Sequence, residues 1–471
     1  MSASSKAKKK IITDKVELVA WFMQGCTPVE ELRIGVEHEK PPFYLKDKTP
    51  VPYASKGRRP GLRKLFETLA SKSGWKRGLE KNKVIELRKD GVGWTLEPGG
   101  QMETGGAPLK NVHDIAQETD QVITECVEVA NKMGIGLLAL GYHPTRRSDD
   151  MPMMPRSRYR AWRKYAREHH VAQGLDGLFC TSSAQVNLGY TSEEDMVKKL
   201  RVGLSLQPII IALFANSPFC EGKPSGYQSH RSHILRNYMN GRYGYMLPIA
   251  FEEGFGFQSF VDYALDMPLL GLYRNGTFVN VEGATFRDFL DKGLSRLPGE
   301  KATIADWENH LNTIWPEVRL RRFLEMRGAD NGPPEMIKAL AAFWTGILYD
   351  PQALDAAYAM VCNWNQADRE YLRDVVPQHG LQAPFMYGQS SVQELAKNAI
   401  ALADAGLKRR AILNAEGQDE SVYLKPLQGI AASGITQAQK LLYNYYRAWN
   451  GNISRVFDTQ NYVGRKPPPN P

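Results

Sequence analysis

Polar and apolar positions alternate in four short segments of the chain. In Gly35-Val36-Glu37-His38-Glu39-Lys40, entered from Leu32-Arg33-Ile34, an extended backbone puts Glu37 and Glu39 on one side and Val36 and His38 on the other. Two carboxylates side by side repel each other. A solvated surface strand tolerates this, whereas a divalent cation between them turns repulsion into ligation. The pattern recurs: Gln101 and Glu103 share a face in 96–103, Gln185 and Asn187 in 183–188, and Glu325 and Arg327 in 323–327. Each pair also has a plainer reading, a wet sheet face for Gln185 and Asn187 and an ordinary charge pair for Glu325 and Arg327. Four repeats together predict a sheet with one face on helices and the other lining a polar cavity.

Other periodicities place further elements around that sheet. Helical spacing predicts helices over 14–22, over 61–69 with Leu62, Leu65, Phe66 and Leu69 on one side, and over 112–133. Ser192 and Asp195 open another that reaches about Leu206, where Pro208 is expected to end or kink it. Strands over 84–87 and 93–96 read as a hairpin around Asp90-Gly91, and the apolar run 134–141 as a buried strand. Residues 226–233 read as a polar loop carrying Arg231, and the basic, aromatic stretch 156–163 as an exposed helix face or an anion clamp. From Pro334 the chain reads as helix after helix: 335–349, 351–363, 366–375, 392–405 and 436–449. This predicts an α+β fold: a disordered basic N-terminus over 1–12, one domain over 13–460 and a Pro-rich tail over 461–471.

Composition narrows the function. Of 471 residues, 60 are Lys or Arg and 51 Asp or Glu, so the net charge is +9 and the partner is expected to be a small anion rather than nucleic acid. The longest apolar run, 209–215, is far too short to span a bilayer. Five scattered cysteines without C-x-x-C argue against a disulfide framework or zinc site and for a reducing, cytoplasmic home. There is no P-loop, no G-x-G-x-x-G after a strand and no H-E-x-x-H. A nucleotide would therefore be held by metal-bridged phosphates and arginine. Glu37, Glu39, Glu103 and Glu325 offer hard oxygens for Mg²⁺, and Arg158, Arg231 and Arg327 offer paired donors to carboxylate or phosphoryl oxygens.

These residues lie in segments that resemble glutamate–cysteine ligase of the plant and proteobacterial type. The matching segments are Gly35-Val36-Glu37-His38-Glu39-Lys40, Glu97-Pro98-Gly99-Gly100-Gln101, Gly106-Ala107-Pro108-Leu109, Gln185-Val186-Asn187-Leu188 and Ala215-Asn216-Ser217-Pro218-Phe219. Arg231-Ser232-His233-Ile234, Trp307-Glu308-Asn309-His310-Leu311 and Glu325-Met326-Arg327-Gly328-Ala329-Asp330 follow in the family's order. The resemblance implies ATP- and Mg²⁺-dependent ligation of the γ-carboxyl of L-glutamate to the amine of L-cysteine, the first step of glutathione biosynthesis. It also implies a glutamine-synthetase-like curved antiparallel sheet forming a funnel, helices outside, and a monomer or homodimer. Carried over residue by residue, Glu37, Glu39, Glu103 and Glu325 are metal positions, and Arg327 lies near the transferred phosphoryl group. Arg158 and Arg231 contact glutamate, with Gln101, Gln185 and Asn187 beside the substrate; Arg231 and Arg327 are the catalytic pair.

The sequence also departs from the plant pattern. Val281 and Arg296, and Ala116 and Lys338, stand where plant enzymes have paired cysteines, so their redox control is expected to be missing. Met102, Thr104 and Gly105 differ after Gln101. Two rival readings are a carboxylate–amine ligase with another amine acceptor and a non-catalytic, metal-dependent binding protein.

Overall fold

A computed structural model describes residues 10–168, 174–236, 244–274, 277–281, 283–385 and 390–462. Its central feature is an open, fully antiparallel sheet of eight strands. In chain order these are β1 (Ile34–Lys40), β2 (Lys76–Glu80), β3 (Lys83–Lys89), β4 (Val92–Leu96), β5 (Met102–Gly105), β6 (Ala184–Leu188), β7 (Val318–Leu320) and β8 (Leu324–Met326). Their order across the sheet is β7-β8-β6-β1-β5-β4-β3-β2. β3 and β4 are the expected hairpin, turning at Asp90 and Gly91, both with positive φ as a tight two-residue turn requires.

Register does the work that the alternation predicted. Glu39 pairs with Glu103 and Glu103 with Thr95; Glu37 pairs with Gln185 and with Gly105; Glu325 pairs with Asn187 and with Arg319. A period of two then keeps every one of these on one face. The other face carries Val36, Trp94, Leu96, Met102, Val186, Leu188, Leu324 and Met326, all buried. The helices Val112–Lys132 and Pro334–Leu348 pack against that face. A continuous core reaches from Ile12 to Tyr462. Among the described residues no helix is long and apolar enough to cross a membrane.

Several local expectations change. The helix opened by the Ser192 cap runs from Glu193 to Leu213, straight through Pro208. A proline in a helix costs about 3 kcal/mol or more. Burial of every residue from Val202 to Leu213 offsets that loss. Arg231 sits not in a loop but in the helix His230–Arg236, whose start is capped by Ser229 Oγ accepting from Ser232 N at 3.2 Å. Of the run 134–141, only Ile135–Leu137 is a strand, paired with Pro42–Tyr44. Residues 251–263, unassigned from sequence, contribute to a 3-10 turn, Pro248–Phe251, and the helix Phe257–Asp266. The tails expected over 1–12 and 461–471 lie mostly outside the described residues. Their inner ends are part of the fold: Ile12 N donates to Ala302 O at 2.9 Å, and Asn461 Oδ1 accepts from Leu137 N at 3.1 Å.

Candidate active site

The polar face of the sheet forms the floor of a cavity of about 320 Å³. Glu37 and Glu39 of β1 and Glu103 of β5 stand on that floor, with Glu97 just after β4. One wall is the helix Ser157–Glu168, which supplies Arg158 and Trp162; another is the hairpin residues Tyr273 and Phe278; Arg231, Arg319, Arg321 and Arg327 close the rest. The stretch 156–163 is therefore the edge of an anion-binding cavity as well as a helix face.

Three carboxyls here are crowded. Burial, and then the neighbouring Glu325, raises Glu37 above the ordinary carboxylate range. Burial and the nearby Glu97 raise Glu39. Burial together with Glu97, Glu37 and Glu39 raises Glu103 well above it. Few donors relieve them. Asn187 Nδ2 donates to Glu37 Oε1 at 2.7 Å, Ser183 N and Oγ donate to Glu39 Oε2 at 2.5 and 2.9 Å, and Thr95 Oγ1 lies 3.1 Å from Glu103 Oε2.

Glu325 behaves differently. It is buried, and both its oxygens accept from Arg319, at 2.7–3.0 Å; Arg327 Nη1 also bonds Oε1. Burial opposes ionisation, but Arg319 and Arg327 overcome it and hold Glu325 down at about 2. It lies under the cavity floor rather than on it, so its carboxylate is already neutralised by protein. Arg327 also donates to Gln185 Oε1 at 2.7 Å, which fixes the guanidinium at the cavity edge.

The remaining sequence candidates divide between lining and support. Arg231 borders the cavity, but it is 3% exposed and its guanidinium donates to Gly328 O at 3.1 Å and Arg327 O at 2.9 Å, beside Asp330 at 3.7 Å. It ties its helix to the turn that presents Arg327. Gln101 is a strut: its amide donates to Leu178 O and Thr181 O at 3.2 and 2.8 Å and accepts from Gly99 N at 2.8 Å. Asn187 is spent on Glu37, with its Oδ1 unpartnered. Arg158 keeps most of its donors; it contacts Tyr159 OH at 3.3 Å and stacks near Tyr159 and Trp162.

Glu97, Arg319 and Arg321 were missed in the sequence reading. Thr95-Leu96-Glu97 alternates just as Glu37-His38-Glu39 does, and that signal could have found Glu97. β7, which carries Arg319, is three residues long and left no readable period.

Among the described residues no three acidic, histidine or cysteine side chains are gathered closely enough to ligate one ion. The donor chemistry nonetheless fits a hard divalent cation: Glu37, Glu39 and Glu103 offer only oxygen, repel one another and would be relieved by positive charge. All five cysteines are free thiols, and Lys338 is ion-paired to Asp120 at 2.5 Å.

Residues 33–459 match the glutamate-cysteine ligase family 2. Glutamate–cysteine ligase B, chloroplastic, of Oryza sativa subsp. japonica is 43% identical over 448 residues, covering 95% of this chain and 87% of that one. The chloroplastic glutamate–cysteine ligase of Arabidopsis thaliana is 42% identical over 446 residues, covering 95% and 82%. A solved glutamate–cysteine ligase from Francisella tularensis, in complex with AMP, shares the fold with TM-score 0.55 at 12% identity, over 92% of this chain and 89% of that one. The relatives overturn the cytoplasmic expectation, because they are named chloroplastic. Free thiols separate reducing from oxidising compartments but do not tell one reducing compartment from another.

Proposed function

The chain belongs to glutamate-cysteine ligase family 2, and from that premise we propose that it joins the γ-carboxyl of L-glutamate to the amine of L-cysteine with ATP as co-substrate. The products are γ-glutamylcysteine, ADP and phosphate, the opening step of glutathione biosynthesis, and residues 13–460 act as one catalytic unit. A carboxylate is a poor acyl donor because oxide would have to leave. Transfer of the γ-phosphoryl group gives γ-glutamyl phosphate, and the cysteine amine displaces phosphate from it.

The observation that carries this reading is three crowded carboxyls sharing one cavity with arginines. Glu37, Glu39 and Glu103 would hold Mg²⁺, which when bound neutralises triphosphate charge. The Arg319–Arg327 clamp on Glu325 argues that this fourth carboxylate positions Arg327 rather than serving as a primary ligand. Arg327 then faces the transferred phosphoryl group. Arg158, with donors to spare, holds a glutamate carboxylate, and Arg231 fixes the adjoining wall while lending its charge to the same anion. Gln101, Gln185 and Asn187 keep Thr181, Arg327 and Glu37 in place beside the substrate.

Phosphate release from ATP in the presence of glutamate and a panel of amines tests the reading. Stimulation by cysteine and recovery of the dipeptide is the expected result. Stimulation by a different amine alone would assign the chain to a ligase of another acceptor, and none at all would remove the enzyme reading.

A further inference from the structure

From Val202 to Leu213 the helix Glu193–Leu213 is wholly buried and carries only two polar side chains, Ser205 and Gln207. An amide taken out of water costs free energy unless it is hydrogen-bonded. Gln207 is bonded at both ends: Oε1 accepts from Gly328 N at 2.9 Å, and Nε2 donates to Met326 Sδ, a weak acceptor, at 3.8 Å. Met326 precedes Arg327 and Gly328 follows it, so one side chain of a distant helix brackets the arginine. The approach is prepared from both sides. A Cβ on Gly328 would lie 2.2 Å from Gln207 Oε1, and one on Gly203, a turn earlier in the same helix, 3.2 Å from Met326 Sδ.

Arg327 stands just past the end of β8, where the sheet ladder no longer supplies partners. Buried backbone groups there must find others. Arg327 N donates to Glu317 O at 3.1 Å, and Arg327 O and Gly328 O accept from Arg231 at 2.9 and 3.1 Å. Gly328 N is the remaining backbone group of the two residues, and Gln207 accepts from it. Without that oxygen the N–H is left unpaired among apolar side chains, a costly state that the backbone leaves only by moving.

We propose that Gln207 is a positioning residue for Arg327: its amide fixes the backbone from Met326 to Gly328 so that the guanidinium meets the transferred phosphoryl group. This rests on the ligase reading and on the role it gives Arg327. Gln207 is not among the residues that line the cavity, so it acts only through the arginine. A misplacement of about 1 Å by a change remote from the chemistry can cost roughly 100-fold in rate.

Gln207→Met keeps the length and the apolar packing and removes the oxygen. Turnover, the ATP and glutamate constants and Tm are measured on the full chain, beside Leu204→Ala as a core lesion in the same helix. The expected result for Gln207→Met is a kcat lowered about tenfold or more with both KM values within about twofold. Leu204→Ala lowers Tm and leaves kcat near normal. Gln207→Glu retains most turnover, because a carboxyl in this apolar setting stays protonated and still offers an oxygen to Gly328 N. Gly328→Ala, which drives the amide away from the other side, reproduces the loss and serves where Gln207→Met does not fold. In an Arg327→Lys background Gln207→Met adds little, since the guanidinium it positions is gone. Unchanged kcat in Gln207→Met or Gly328→Ala overturns the proposal. So does a fully additive loss in the Arg327→Lys background, or a kcat loss in Leu204→Ala equal to that in Gln207→Met. Normal turnover in Arg327→Lys overturns it together with the role of Arg327, and absence of ligation in the unsubstituted chain overturns the ligase reading itself.

Discussion

Strand β1 carries ionisable groups on both of its faces, and the two faces handle them in opposite ways. On the front, Glu37 and Glu39 are half-buried beside Glu103, and all three are raised by burial and by acidic neighbours. On the back, His38 and Lys40 are fully buried against Trp94 and Tyr462 and bonded to each other. Burial, and then the charge of Lys40, pushes the His38 imidazole well down, and burial brings the Lys40 amine down to about 7. The back pair can shed protons and satisfy itself inside the protein. Around the front set Arg319, Arg321 and Arg231 offset only part of the rise at Glu37 and Glu39, which leaves room for a cation from outside. The same i, i+2 spacing is thus support on one side of a strand and chemistry on the other, and the difference lies in what faces it.

Substitutions on each face put this contrast at risk. The largest effect is expected on the front: Glu103→Gln removes one crowded charge at nearly constant volume. Turnover should fall by more than the roughly 10–100-fold typical of residues that only support a ligand, while Tm holds or rises. Near-normal turnover at ordinary Mg²⁺ would remove Glu103 from the site. Next comes Arg231→Lys, which keeps charge but loses the planar fork. Loss of charged hydrogen bonds of about 1.5–3 kcal/mol corresponds to roughly ten- to hundredfold in the glutamate constant, with ATP little affected. A lowered Tm should accompany it, since Gly328 O and Arg327 O lose their donors. A fall in Tm with unchanged constants would make Arg231 purely a strut.

Lys40→Met should do little to turnover and leave Tm equal or higher, because an apolar chain of similar length replaces a buried amine. Loss of turnover at normal Tm would break the contrast outright. The smallest effect concerns Glu118, a carboxyl away from the cavity, whose Oε atoms accept from Ala107 N at 3.1 and 3.2 Å. Burial raises it to about 7. The folded chain then retains a proton that the unfolded chain releases near 4.5, so this group's contribution to stability falls as pH rises from about 4.5 to about 7. Urea midpoints at pH 5 and pH 8 should show Glu118→Gln gaining over the unsubstituted chain at the higher pH only.

The main sheet and its polar face were readable in the sequence because a period of two fixes facing once a strand is recognised. Glu37, Glu39, Glu103, Gln185 and Arg327 were all found that way. What could not be read was occupancy. Glu325 shows the same alternation as Glu37, yet its charge is consumed by Arg319, a residue on a strand too short to detect. Arg231 was placed in a loop because 226–233 is polar; Ser229 within it is the cap of a helix. Pro208 misled because its cost is local, while the burial that outweighs it comes from distant elements.

Tyr462 donates its hydroxyl to Gly332 O and sets its ring 5.4 Å from the Lys40 amine, while Asn461 accepts from Leu137. The back of β1 is therefore closed by a residue that a ribosome adds roughly 420 positions later. At about 5–20 residues per second, β1 spends some tens of seconds without its seal. Until then the amine of Lys40 lacks the ring of Tyr462 beside it. A stop codon or protease cut just before Asn461 would spare every residue of the cavity and still deny the sheet its last closure.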